Sequence, residues 1–584
     1  MTPADTVART YARIRAYNDP AVFISLRNEA DAIAEAHALA VAGKTHLPLY
    51  GIPIAVKDNI DVAGLPTTAA CPAFTRHPDT DATVVAKLRS AGAIVIGKTN
   101  LDQFATGLVG VRSPYGVPRN PVKDGLVPGG SSSGSAVAVS AGLVPAALGT
   151  DTAGSGRVPA MLNNIVGLKP TLGLVSTTGV VPACRTLDCI SVFALTTDDA
   201  WAVLAAMAGP DPRDPFSRNH RLGVPSAMPP AVRLGVPRAG GRVFFDCSEA
   251  ARAYDKALTR LERFGAALVE IDIEPFYEAA RLLYEGPWVA ERYAAVQSLI
   301  TSAPETMHPV TREIIAAGAW QTAVGAFRAF YRLEELRGIA NRTFDYVEGL
   351  VLPTAPRTYT LDEVLANPIE LNSRLGTYTN FVNLLDLSAL SVPAAIADDG
   401  TPFGITVVAP AGCDAALASI GRVFHADVGL TLGALDLAHP ALPSLPVTPV
   451  KDEIAIGVVG AHLSGMPLNG ELTALGGRFL EASTTTADYR LFALAGTRPP
   501  KPGLLRVATG HGSAVAVEIW AMPAGGFGHF VAGIPAPLSI GTLSLANGQA
   551  VKGFLVEAEA VIGARDISSF GGWRAYVGKA KATT

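Results

Sequence analysis

Hydrophobic and polar positions along this chain switch repeatedly between two periods, and the switching predicts helices that alternate with strands. Residues 81–91 (DATVVAKLRSA) open on a capping Asp and put Val84, Val85, Leu88 and Ala91 on one face at helical spacing, and 93–97 (AIVIG) then reads as a strand. The alternation returns at 250–264, where Tyr254, Ala257, Leu258 and Leu261 share a helical face, followed by the strand-like 268–273 (LVEIDI). Residues 345–356 read as a strand ending at Pro353, 380–392 lead into another proline turn, and 404–408 supply a further strand. Residues 21–43, rich in Ala and Glu, read as one helix ending near Gly43, and 136–147, almost all Ala, Val and Leu, as a buried helix. Helices and strands in this order predict an α/β fold built in layers.

The texture changes at His439. Prolines at 440, 443, 446 and 449 recur every three residues, the period of polyproline II, and predict a semi-rigid spacer. Three segments follow: a large domain over 1–433, a linker over 434–452 and a smaller domain over 453–584. The last begins with a strand at 454–460, has another at 515–520 and a Gly/Pro-rich stretch at 525–537, and reads as a small mixed α/β unit.

Composition narrows the classes. Of 584 residues, 49% are hydrophobic and 17% charged, which describes a well-buried globular chain. A net charge of −4 offers no field for a polyanion, so nucleic acid is not an expected partner. The five cysteines are widely spaced and form neither a metal-type nor a disulfide-type pattern, the start of the chain has no secretory pattern, and no apolar run reaches membrane-spanning length. A cytoplasmic protein with reduced thiols, no membrane span and no metal is expected.

The candidate chemistry lies in 125–159. A first turn, Gly129-Gly130-Ser131-Ser132-Ser133-Gly134-Ser135, and a second, Asp151-Thr152-Ala153-Gly154-Ser155-Gly156-Arg157, flank the small-residue segment. Glycine beside serine lets successive amides converge on one point, which can hold an oxyanion. A flexible linker would show the same composition, but this run is bounded by dense apolar sequence. A phosphate loop would need a lysine that GGSSSGS lacks. A serine nucleophile needs a base, and Lys57 follows the apolar run 51–56; burial there would favour its neutral form. Lys98, after a longer strand, is the rival base.

Lys57 within IAVKDN, Ser131 within GGSSSGS and Ser155 within DTAGSGR resemble the amidase signature family, in the family's order and over about residues 20–430. The resemblance implies a large mixed β-sheet covered by helices on both faces. It also implies a Ser–cis-Ser–Lys triad with Ser155 as nucleophile, Ser131 as the bridging serine and Lys57 as base, and an oxyanion hole of the Thr152, Ala153, Gly154 and Ser155 amides. The run TNLDQFATGLVGVRSPYG (99–116) is similar to that of allophanate hydrolases, and the last segment is similar to their C-terminal domain. In those enzymes a Tyr and an Arg at the spacing of Tyr284 and Arg292 grip a substrate carboxylate, a task suited to a guanidinium fork and a phenol. The resemblance therefore implies hydrolysis of allophanate (urea-1-carboxylate) to ammonia and carbon dioxide without a cofactor, a functional link to a biotin-dependent urea carboxylase, and a homodimer. His462 and Glu518 are the candidates for chemistry in the C-terminal domain, where decarboxylation of N-carboxycarbamate would fall. The alternatives are a general small-molecule amidase and the glutaminase component of a tRNA-dependent amidotransferase.

Overall fold

A computed structural model describes residues 2–581. Eleven strands form one mixed sheet: β1 (Phe23–Leu26), β2 (Pro53–Lys57), β3 (Ile94–Thr99), β4 (Ala146–Asp151), β5 (Val166–Lys169), β6 (Cys189–Ala194), β7 (Val232–Pro237), β8 (Ala266–Ile271), β9 (Gly349–Pro353), β10 (Leu387–Ile396) and β11 (Pro402–Pro410). Their spatial order is β1-β3-β2-β4-β6-β5-β10-β11-β9-β7-β8. β2 runs parallel to both β3 and β4, while β4, β6, β5, β10, β11 and β9 are joined by antiparallel pairs.

Helices cover both faces, and the period-two rule shows how the strands feed two cores. Ile54 and Val56 of β2 enter one cluster with Val84, Val85 and Leu88 of the helix Thr83–Ser90, while Ala55 between them enters a second with Val137 and Val139. Further along the sheet, Val351 of β9 joins the first core and its neighbours Leu350 and Leu352 face a third. A sheet buried on both sides explains why these strands read as continuous apolar runs rather than alternating ones.

Two sequence expectations are corrected. Residues 21–43 are not one helix: β1 pairs antiparallel with β3, and the helix starts only at Glu29, capped by the Asn28 side chain. Residues 136–147 likewise divide. The helix Ser133–Ser140 is buried along its whole length, and Ala146–Asp151 is the strand β4, held between β2 and β6. Uniformly small apolar residues carry no period that separates a buried helix from a central strand, so partners elsewhere in the chain decide.

Residues 438–449 carry neither helix nor strand, and Arg422 and Arg478 hold this stretch by donating to the carbonyls of Pro443, Pro446 and Thr448. Beyond it lie a five-stranded sheet, containing Glu453–Val458 and Ala516–Pro523 as neighbours, and a three-stranded sheet around their own apolar core. The Gly/Pro-rich stretch folds in part as the helix Ala524–Ala532.

Candidate active site

Lys57 is the last residue of β2, and Thr150 and Asp151 end its parallel neighbour β4, so both reach the carboxyl end of the sheet, where open α/β sheets place ligands. Ser131 sits just before the buried helix, and the Gly130–Ser131 peptide is cis. The backbone there is pinned on both sides: Gly130 N–H donates to Leu108 O at 2.8 Å and Asp102 N–H to Ser131 O at 3.0 Å. Lys57 Nζ donates to Ser131 Oγ at 2.7 Å and to Thr150 Oγ1 at 2.8 Å. Burial of the ammonium pulls the Lys57 pKa down to about 7, against the opposing pull of Asp102, Asp188 and Asp151.

Lys98, the rival base, is committed elsewhere. Its Nζ pairs with Asp58 Oδ1 at 3.2 Å and donates to Thr67 Oγ1 at 2.9 Å and Pro66 O at 3.1 Å.

The second turn is built on Asp151. Its carboxylate takes a bidentate pair from Arg157, Nε at 2.8 Å and Nη2 at 2.9 Å, and also accepts the amides of Gly154 at 2.9 Å and Gly156 at 3.0 Å. Burial opposes the charge on Asp151, but Arg157 and these donors outweigh it and hold the carboxyl below its ordinary range. Ser155 therefore sits between two amides tied to one carboxylate. Gly154 has φ +130°, and a Cβ there would lie 2.3 Å from Thr379 Oγ1, so only glycine fits.

The expected oxyanion set is corrected at one position. The Gly154 amide points to Asp151 and is not free, which leaves the amides of Thr152, Ala153 and Ser155, for which no backbone or side-chain acceptor is found among the described residues.

Ser155 is only 3% exposed, and its hydroxyl donates to Gly107 O at 3.4 Å, a long bond. One residue before Gly107, Thr106 Oγ1 accepts Arg292 Nη1 at 3.1 Å, and Arg292 Nη2 lies 3.4 Å from the Tyr284 hydroxyl with its guanidinium over the Tyr284 ring. Arg292 is 2% exposed and has no carboxylate partner within ion-pair distance among the described residues; its Nε is buried without an acceptor. Tyr284 and Arg292 do not share one helix: Glu274–Glu285 ends at Gly286, Trp288–Ser302 starts after Pro287, and the break turns the two side chains toward each other.

Sequence reasoning missed Thr150, Thr106 and Asp188. Asp188 accepts Thr152 Oγ1 and the amides of Ala183 and Cys184, and burial pushes its pKa up to about 6. Asp151 and Arg157 stood in plain view inside DTAGSGR, where two opposite charges flanking a Gly-Ser turn could have been read as its brace.

In the smaller domain the two candidates part ways. His462 Nε2 lies 2.9 Å from Glu471 Oε2, and its ring stacks on Phe554 and meets Phe530 edge-on. Burial pulls its pKa down, partly offset by Glu471. Glu518 is corrected to an anchor: its two oxygens accept the Ser464 amide and hydroxyl at 2.7 and 2.8 Å, Trp520 Nε1 at 3.2 Å and Arg574 Nη2 at 2.6 Å, so the carboxylate is saturated.

A sheet of this topology, with a buried lysine, a serine after a cis peptide and a second serine in a braced Gly-Ser turn, fits one class. The amidase family model matches residues 5–418, and the chain belongs to the amidase family, an amidohydrolase by class. Residues 454–578 match a second model, the allophanate hydrolase C-terminal domain. Among solved structures, the chain superposes on the Kluyveromyces lactis allophanate hydrolase with a TM-score of 0.79 at 42% identity, covering 99% of this chain and 97% of that one. The urea amidolyase of Lachancea kluyveri is 44% identical over 575 residues, 96% of this chain, but the chain spans only 31% of that relative's length. A glutamyl-tRNA(Gln) amidotransferase component from Symbiobacterium thermophilum is 38% identical over 418 residues, 66% of this chain and 84% of that relative.

Proposed function

We propose that this chain is an allophanate hydrolase, releasing ammonia from urea-1-carboxylate through an acyl-enzyme on Ser155. The observation that carries the reading is the buried Lys57–Ser131 bond in the same site as Ser155 and an arginine that lacks a carboxylate partner. The Kluyveromyces lactis structure and the C-terminal domain match support the substrate. The amidotransferase relative matches 66% of this chain, whereas the Kluyveromyces lactis enzyme matches 99% of it, which weighs against a glutaminase role.

With its pKa near 7, Lys57 is neutral often enough to act as base: one N–H stays on Thr150 and the lone pair takes the Ser131 proton. Rotation of the Ser155 side chain from Gly107 toward Ser131 lets Ser131 Oγ take the Ser155 proton as Ser155 Oγ attacks the terminal amide carbon. The free amides of Thr152, Ala153 and Ser155 receive the negative oxygen, at about 3 kcal/mol per donor. The C–N bond breaks, and the departing nitrogen takes the proton back through Ser131 and leaves as ammonia. Water, deprotonated along the same chain, splits the ester and frees N-carboxycarbamate. Arg292 and Tyr284 hold the carboxylate throughout, so the guanidinium gains the partner it lacks. Loss of carbon dioxide from N-carboxycarbamate is assigned to the C-terminal domain, with His462 as the candidate residue.

The substrate would come from a biotin-dependent carboxylation of urea, a link supported by the urea amidolyase relative. Cytoplasmic placement belongs to the same proposal; among the described residues no helix is long and apolar enough to cross a membrane. The test is Ser155→Ala. Ammonia release from allophanate should fall at least about 10³-fold with the thermal unfolding midpoint unchanged, whereas near-native turnover would remove Ser155 as nucleophile.

A further inference from the structure

Behind the nucleophile turn lies a cavity of about 460 Å³ that none of Lys57, Ser131, Ser155, Tyr284 or Arg292 lines. Its volume falls in the range of small-molecule sites. Three of its lining residues are arginines. Arg218 meets Asp386 through Nη1 alone, at 2.7 and 2.9 Å, which leaves Nε and Nη2 of its fork without an acceptor among the described residues. Arg337 gives Nε to Leu384 O at 2.9 Å and Nη1 to Glu334, and its Nη2 is likewise unassigned. Arg185 is exposed, forms no ion pair among the described residues and lies over the Phe216 ring.

The same wall carries acceptors. Asp386 and Asp188 line the cavity together with the fully buried Asn383, whose Oδ1 has no donor among the described residues. Guanidinium forks and carboxylates lining one cavity match a molecule that carries both charges.

The wall also reaches the catalytic turn. Asn383 Nδ2 donates to Asp151 O and Leu187 O, each at 2.8 Å, and Asp188 accepts the Thr152 hydroxyl. A ligand that pulls on Asn383 or Asp188 therefore acts on the backbone that presents Ser155.

We propose that this cavity binds a small zwitterion of the amino-acid type, its carboxylate on the free guanidinium N–H groups of Arg185, Arg218 and Arg337 and its ammonium toward the carboxylates of Asp386 and Asp188, and that occupancy alters turnover at Ser155. The binding half is independent of the reaction assigned to Ser155; the turnover half rests on it.

The experiment is calorimetric titration of the full chain with L-glutamate and with glycine, with acetate as the control that lacks an ammonium. It is run on the native protein, on Arg185→Ala/Arg337→Ala and on Arg292→Ala. Both cavity arginines are at the surface, so the double variant should fold, and its unfolding midpoint checks that. The proposal expects saturable one-to-one binding of at least one amino acid at millimolar affinity or better, tighter than acetate, kept in Arg292→Ala and weakened at least about tenfold in the double variant. Saturating amino acid should change native kcat/KM by about 5-fold or more, within the span of allosteric couplings, and leave the double variant unmoved. Absence of saturable binding, or binding that Arg292→Ala abolishes while the double variant keeps it, overturns the site. Binding without a change in turnover overturns the coupling to Ser155.

Discussion

Lys57 has two hydroxyls as hydrogen-bond partners and no carboxylate in ion-pair contact among the described residues, so burial dominates its proton affinity. The sign follows directly. Below about 7 the amine is protonated and cannot accept from Ser131; above it the lone pair is available, so kcat/KM should rise with pH through an inflection near 7 and then level. Lys57→Ala should remove this limb together with most activity, and a pH–rate series on both proteins checks it; an unchanged profile in the variant would move the base elsewhere. Burial lowers the Lys98 pKa as well, but Asp58 at 3.2 Å opposes it and, with Thr67 and Pro66, occupies the ammonium. Two buried lysines at the ends of adjacent strands thus differ in their surroundings by one neighbouring carboxylate.

At the scale of elements, the turn after β4 depends on a buried ion pair. Asp151 and Arg157 are both fully buried, and the pair accepts or donates to three segments: the Ser155 turn, the carbonyl of Thr379, and Asn383 through the Asp151 backbone. Asp151→Ala would leave the guanidinium uncompensated, a change that costs about 3–5 kcal/mol, and should lower the denaturation midpoint and erase activity together; a variant with native stability would contradict the brace. The same turn marks what the sequence makes legible. Lys57, Ser131 and Ser155 lie in local motifs whose glycine and serine content reports the backbone they need. Thr150, Thr106 and Asp188 carry no such mark, because their partners Lys57, Arg292 and Thr152 arrive from 93, 186 and 36 residues away. The helix Ser248–Arg263 was legible because its one buried face keeps a clear 3.6 period, whereas β4, buried on both faces, is spelled in Ala, Leu and Gly and looks like a continuation of the helix before it. Glu518 reads as a polar residue in a strand, and only the fold reveals the four donors that occupy it.

For the whole molecule, the helix Ala323–Phe344 and the turn before it leave Trp320, Phe327, Phe330 and Tyr331 between 47% and 86% exposed. Exposed aromatics on this scale mark an association surface, and we propose that it carries the homodimer that the family resemblance implies. Light scattering of the native chain should give twice the 60.4 kDa monomer mass, and Trp320→Ser/Phe327→Ser should shift the protein to monomer; a native monomer would contradict it. The proposal that this amidase-family chain is built for a small amide bearing a carboxylate rests on Arg292, and the decisive comparison is kcat/KM for ammonia release from allophanate and from the neutral amide biuret, in the native protein and in Arg292→Ala. Removing the guanidinium leaves the substrate charge unpaired in a buried pocket, a loss of about 2–5 kcal/mol, so turnover of allophanate should fall by roughly 30- to 5,000-fold with little change for biuret. Equal losses on both substrates, or no loss on either, would rule out Arg292 as the group that selects a carboxylate.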